Sequence, residues 1–241
     1  MALTGSRVVV VGGSSGIGLG VAEAVLSEGA QVVIVGRSPE KLEAAQKNLG
    51  KPKLLKAVTA DVTVESDVKQ LFDCIDSIDH LVVTRGIVPV AAPVETLNLD
   101  AVRRFVDVML VSSLCIAKHS KAAIRKHGSI TFTSGISKDR PSPGGSVVAA
   151  VAGSFGYLAR ALALELAPVR VNVVSPGWVQ TPMWDEIVGV QKTAIWSEMA
   201  ARLPAGRIAS PADVAPAYLY LMQSAFTTGT VLDIDGGHGL L

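Results

Sequence analysis

Short runs of consecutive apolar residues alternate along the chain with longer segments in which apolar positions recur every three or four residues. The runs are Arg7 to Val11, Gln31 to Val35, Leu54 to Thr59, Leu81 to Thr84, Ser129 to Thr133, Val169 to Val174 and Thr230 to Ile234. Continuous apolar stretches such as Val32-Val33-Ile34-Val35 predict strands covered on both faces. Between them the periodicity predicts helices over Ile17 to Ser27, Glu40 to Asn48, Glu65 to Ile75, Leu99 to Lys126, Val147 to Leu166 and Pro211 to Met222. Strict alternation of the two patterns predicts an α/β fold, a doubly wound parallel sheet of about seven strands with helices on both faces. No linker, repeat or low-complexity tract divides the chain, so residues 1–241 read as a single domain.

Two irregular stretches, Ser134 to Ser146 and Pro176 to Pro182, follow strand C-termini, where open sheets of this kind bind ligands. The sharpest local signal is Gly12-Gly13-Ser14-Ser15-Gly16-Ile17-Gly18, placed directly after the first strand and directly before a helix. In that order a glycine turn lets the backbone approach a pyrophosphate, and the helix directs its positive end and unpaired amides at the anion. A Rossmann-type dinucleotide site follows from this context rather than from the glycines alone. At the end of the second strand a carboxylate would bond both adenosine-ribose hydroxyls, but Arg37 and Ser38 stand there. A guanidinium fork beside a hydroxyl suits a 2′-phosphate, so NADP(H) is expected in preference to NAD(H).

Composition narrows the partners. The 241 residues are 49% apolar with a formal charge of +1, which offers no basic field for nucleic acid. The apolar run Val8 to Val11 is far short of a signal or membrane segment, and a cytoplasmic location is expected. Cys74 and Cys115 are isolated, and His80, His119, His127 and His238 show no ligand-like spacing with them, so no metal is expected. Partners should be small molecules and further copies of the chain.

Over nearly its whole length the chain resembles the short-chain dehydrogenase/reductase family. The family's Thr-Gly-x-x-x-Gly-x-Gly motif is matched by Val11-Gly12-Gly13-Ser14-Ser15-Gly16-Ile17-Gly18 apart from Val11. Asp61-Val62 is similar to its adenine-contacting pair. Arg170 to Thr181 matches the segment whose Pro-Gly turn and later threonine lie along the nicotinamide half, and Asp235-Gly236-Gly237 resembles its C-terminal signature. The resemblance implies cofactor contacts from Gly12, Ser14, Ser15, Gly16, Ile17, Gly18, Asp61, Val62, Gly86, Pro176, Gly177, Val179 and Thr181, beside Arg37 and Ser38. It also implies a homodimer or homotetramer, with the predicted helices Leu99 to Lys126 and Val147 to Leu166 as the usual dimer faces.

The same resemblance exposes a departure. The family uses a Tyr to move the proton, a Lys four residues on to tune it, a Ser to orient the substrate and an Asn to anchor a proton relay. Here the tyrosines are Tyr157, Tyr218 and Tyr220, and Ala161, Met222 and Ser224 stand four residues beyond them. Counting back from Leu162 to Pro168 places Val148 at the Tyr position, Ala152 at the Lys position, Gly135 at the Ser position and Met109 at the Asn position. Val83-Thr84-Arg85-Gly86 keeps only the glycine of the family's Asn-Asn-Ala-Gly. Tyr157, nine residues past Val148, falls about 900° round a helix and about 13 Å along it, a poor stand-in.

Ser134 is a candidate substrate-binding hydroxyl or a turn serine, and Ser112 and Ser113 either bind a water or bond their own helix. Arg85 is a candidate holder of a phosphate or anionic substrate, or else a salt-bridged or surface arginine. Lys138-Asp139-Arg140 reads as a solvated charge cluster. Trp178, Met183, Trp184 and Trp196 fall in the segment that forms the family's substrate lid; they suit an apolar or aromatic ligand, or else packing of the lid. The expected protein is an NADP(H)-binding oxidoreductase of atypical mechanism, or a catalytically silent dinucleotide-binding protein serving as a sensor or assembly subunit.

Overall fold

The computed structural model describes residues 3–50 and 53–241. Strands β1 (Arg7–Val11), β2 (Gln31–Gly36), β3 (Leu55–Thr59), β4 (Ile78–Val83), β5 (Ile124–Thr133), β6 (Arg170–Pro176) and β7 (Val231–Ile234) form one sheet in the order β3-β2-β1-β4-β5-β6-β7. Every pairing is parallel. The winding reverses between β1 and β4, so the C-terminal ends of these two strands open the crevice in which a doubly wound sheet places its ligand.

Alternate residues of the apolar strands feed two separate cores. Val8, Val10, Val32 and Ile34 meet α1 (Gly16–Ser27), α2 (Pro39–Leu49) and α9 (Pro211–Gln223). Val9, Val11, Val33 and Val35 belong to the opposite core, with α3 (Glu65–Cys74), α4 (Leu99–Val106), α5 (Ser112–Ser120) and α6 (Ser146–Glu165). By length and mean hydropathy (1.7), α6 qualifies as a bilayer span, yet Val151, Phe155, Ala159 and Leu162 on one of its sides are packed in the second core.

Two expectations need correcting. The helix predicted over Leu99 to Lys126 is interrupted by a π-helical turn at Asp107–Val111 and ends at Ser120. Its last predicted residues belong to β5, where Ile124 pairs with Ile78 before the register shifts to His80 with Ser129. The periodicity ran on because Ile116, Ala123 and Ile124 all enter the core, while the helix gives way to a turn at residues 121–123 before β5 begins. The stretch after Pro182 holds two further helices that periodicity did not predict, α7 (Met183–Val188) and α8 (Lys192–Arg202).

Across that shifted register His80 Nδ1 and Ser129 Oγ lie 2.9 Å apart, both side chains buried. Burial pushes the His80 imidazole down from its ordinary 6.5 to about 4, against the opposing effect of Asp79 and helped by Arg170. Between those two pH values the unfolded chain binds a proton that the folded chain refuses, so stability falls as pH falls. Urea unfolding is expected to show wild type losing roughly 2 kcal/mol more than His80→Gln between about pH 7 and 5. Parallel acid limbs for the two proteins would contradict this.

Candidate functional site

The crevice is built by glycines that admit backbone where a side chain would not fit. A Cβ on Gly18 would lie 2.3 Å from the Gly12 carbonyl and 2.4 Å from Thr84 Oγ1, and one on Gly12 (φ 84°) would lie 2.7 Å from the Arg85 amide. The loop is thereby drawn onto the ends of β1 and β4, and Thr84 adds a hydrogen bond from its hydroxyl to Val11 O (3.0 Å). Ser38 and Ser210 cap α2 and α9 with their side chains, but Ser15 makes no such bond at the start of α1, whose first turn carries no acid. The α1 amides therefore face the crevice without a side-chain partner, which fits an anion.

The other predicted positions fall around this loop. A Cβ on Gly16 would lie 3.1 Å from Thr181 Cγ2, so the threonine assigned to the nicotinamide half stands against the phosphate loop. Gly177 permits the Pro176-Gly177 turn to rest on Asp235, whose Cα would be 2.7 Å from an added Cβ; this close approach is what the Asp-Gly-Gly signature provides. Val179 is buried and bridges to Ala209, Gly86 is exposed beneath the Met183 sulfur, and Ile17 is partly buried on the α1 side. Ser14 Oγ stands 3.4 Å from the place a Gly36 Cβ would take, next to Arg37 at the end of β2.

Arg37, Asp61, Val62 and Val111 line a shared groove of about 1060 Å³. Burial opposes ionisation of Asp61, but hydrogen bonds from the Thr63 amide and hydroxyl, with the Arg37 charge, hold its carboxyl below the ordinary value. Arg37 is exposed, whereas Ser38 is already engaged: its hydroxyl accepts from the Lys41 amide (3.2 Å) and donates to Glu40 (2.6 Å). The Ser-Pro-Glu start of α2 carried that capping signal in the sequence. Of the two residues at the end of β2, Arg37 is the exposed one, and the Ser38 hydroxyl is bonded within the start of α2.

The four positions that counting back matches to the family's polar groups hold Met109, Gly135, Val148 and Ala152. Met109 lies in the π-helical turn and Val148 on α6, both partly buried against the core; Ala152 is buried one turn beyond Val148. An added Cβ on Gly135 would find only Pro176 O, at 4.0 Å. Ser134 donates its hydroxyl to Ala152 O (2.7 Å), which ties β5 to α6 and answers the choice between substrate hydroxyl and turn serine with a structural bond. Ser112 and Ser113 donate to Val108 O and Met109 O (2.6 Å each), bonding their own helix. Tyr157 is exposed beneath Arg160, and Tyr218 is buried against Thr133, where desolvation raises its pKa beyond useful range.

Arg85 is neither salt-bridged nor directed outward. Its Nε donates to Val108 O (2.8 Å), and Nη2 donates to Met109 O and Ser113 Oγ (2.9 Å each). These carbonyls sit where the π turn departs from regular helix bonding, and all three acceptors are neutral. Burial pushes the guanidinium down to about 10, so it keeps its charge at neutral pH. Periodicity gives no sign of the π turn, and an arginine in place of the motif's alanine was the one available signal.

Beyond the crevice, Trp178 and Trp184 stack at 4.4 Å, and Trp184 donates to Val179 O (3.0 Å). Trp196 stands beneath Lys192, with its indole nitrogen buried and without an acceptor among the described residues. The Lys138 cluster is structural: Lys138 pairs with Asp139 and with Asp233 (2.9 Å), and Arg140 donates to Gly239 O.

Sheet order, glycine loop and the uncapped α1 define a doubly wound protein with a dinucleotide crevice. Residues 11–239 match the family model described as enoyl-(acyl carrier protein) reductase. The chain is 32% identical to the short-chain dehydrogenase/reductase malC of Malbranchea aurantiaca, over 98% of this chain and 95% of that one. It therefore belongs to the short-chain dehydrogenase/reductase family of oxidoreductases, which bind a nicotinamide dinucleotide. The structure of the MalC reductase/Diels-Alderase superposes with a TM-score of 0.93 at 32% identity, covering 100% of this chain and 98% of that one. An NADPH-bound short-chain oxidoreductase of Pseudomonas aeruginosa described as containing an atypical catalytic centre superposes with a TM-score of 0.86 at 27% identity, covering 97% and 96%.

Proposed function

We propose that the chain is an NADP(H)-dependent oxidoreductase that delivers hydride to an electron-poor acceptor, such as a quinone or conjugated system, without a protein proton donor. The observation that carries the reading is an intact glycine cradle beside four positions, Met109, Gly135, Val148 and Ala152, that hold no titratable group. A bound nicotinamide dinucleotide supplies the hydride. The Gly12 to Gly18 loop and the α1 amides hold its pyrophosphate, Arg37 pairs with the 2′-phosphate, and Asp61 and Val62 flank the adenine. Gly86, Pro176, Gly177, Val179 and Thr181 border the nicotinamide half.

Magnitudes select the acceptor. Losing a positioned general acid costs about 10²–10⁴ in rate. The Arg85 guanidinium keeps its charge at neutral pH and would stabilise an anion developing nearby, without supplying the proton. That compensates in part, so a simple ketone stays slow, whereas an acceptor whose reduced form is a stabilised anion takes its proton from water afterwards. Trp178, Trp184 and Met183 would wall an apolar or aromatic ligand at the mouth. The outer side of α6, with Tyr157 and Leu164 exposed and Gly153 open, would receive a second copy. Free Cys74 and Cys115 suit a reducing cytoplasm.

The test is a titration of NADPH fluorescence against wild type and Arg37→Ala. Arg37→Ala is expected to weaken NADPH about 10-fold or more, the range of a charge-assisted hydrogen bond, and to leave NADH nearly unchanged. Equal losses for both cofactors would overturn the phosphate preference. The second reading, a silent nucleotide-binding sensor or assembly subunit, is favoured by the engagement of Ser134 with Ala152 O, which removes the nearest hydroxyl from the site.

A further inference from the structure

Cys115 and His119, which the sequence reading treated as unrelated, stand four residues apart on α5 and share one helix face. Glu65, the first residue of α3, reaches them across the cleft between the two helices. His119 Nε2 lies 2.8 Å and Lys118 Nζ 2.6 Å from the same carboxylate oxygen of Glu65. The Cys115 sulfur, the His119 nitrogen and the Glu65 oxygen all fall within 4.8 Å of one another. Glu65, Cys115 and Lys118 line the groove that also holds Asp61, and none of the residues that replace the catalytic set lines it.

We propose that Glu65, Cys115 and His119 form a divalent transition-metal site, suited to Zn(II), that clips α3 to α5 and leaves a fourth position open to solvent.

A thiolate, an imidazole and a carboxylate are the donor set of a borderline-soft ion, and three protein ligands with one open position is a recurrent zinc arrangement. In a tetrahedron with the usual Zn–S, Zn–N and Zn–O lengths, donor atoms are ~3.2–3.6 Å apart, so modest side-chain adjustment closes the set. The helix fixes Cys115 and His119 relative to each other, which lowers the ordering needed to complete it. The cleft already attracts a cation, since the Lys118 ammonium converges with His119 on the oxygen that the ion would take.

Binding replaces those hydrogen bonds. Lys118 is two-thirds exposed and swings to solvent, His119 presents the lone pair of Nε2 with its proton on Nδ1, and the Cys115 thiol releases one proton to water. One thiolate and one carboxylate then balance the dication. Lys118 is a competitor of the metal, which distinguishes the site from a plain ion-pair network.

Cobalt(II) added to the full chain is the probe, because thiolate ligation gives a near-ultraviolet charge-transfer band, with equilibrium dialysis of Zn(II) as a second readout. The expected result is one ion per chain and a cobalt band abolished in Cys115→Ser. Affinity should fall at least 10-fold in His119→Ala and rise in Lys118→Met. Unchanged NADPH titrations and melting curves certify that each variant is folded. No cobalt band in wild type, a band that survives Cys115→Ser, or an affinity unmoved by His119→Ala would overturn the proposal.

Discussion

Gly18→Ala is expected to lower NADPH affinity at least 100-fold and to destabilise the fold by about 1–3 kcal/mol, the usual cost of forcing extra atoms into a packed site. The new methyl would meet the Gly12 carbonyl at 2.3 Å and Thr84 Oγ1 at 2.4 Å. The carbonyl is backbone, and the Thr84 hydroxyl is tied to Val11 O, so neither rotates away. The helix start must move off the strand ends and carry its amides from the pyrophosphate position. Fluorescence titration and a melting curve together check the result. A variant that melts lower but binds NADPH normally would show that the glycines serve packing alone.

The second large effect is a gain. Restoring Met109→Asn, Gly135→Ser, Val148→Tyr and Ala152→Lys together is expected to raise NADPH-dependent reduction of a simple ketone by about 10²–10⁴, the range associated with a positioned general acid. The structure leaves room for the serine, since the nearest atom to a Gly135 Cβ is 4.0 Å away. Arg85 reaches Met109 through the backbone carbonyl, so an Asn side chain leaves that bond in place. Ser134 likewise uses the Ala152 carbonyl rather than its side chain. Steady-state NADPH oxidation checks the gain. A folded, NADPH-binding variant with no gain would mean that something other than these four groups limits ordinary carbonyl reduction.

Both predictions draw on what the chain announces openly. The apolar runs that became β1 and β2 could be read because strands buried on two faces tolerate few polar residues. The glycine loop could be read because close backbone approach tolerates no Cβ. The π turn left no periodic trace, since shifting a few peptide hydrogen bonds changes no side chain, and its guanidinium cap comes from Arg85, far away in sequence. Helices α7 and α8 left little periodic signal because α7 is short and neither buries a residue deeply. Ser38, placed ahead of Pro39 and Glu40, also carries the pattern of a helix cap, and the structure shows it in that role. Cys115 and His119 were read singly, although four-residue spacing on a helix is itself a ligand-pair pattern; only the fold adds Glu65 from another helix.

The most direct measurement is stopped-flow oxidation of enzyme-bound NADPH by a series of acceptors graded from simple ketones to quinones. Rapid single-turnover oxidation by the quinones, with ketones slower by orders of magnitude and Arg85→Met slowing the quinone reaction, is the result predicted here. Inertness toward every acceptor, with NADPH demonstrably bound, would contradict hydride transfer and leave a nucleotide-binding protein without catalysis.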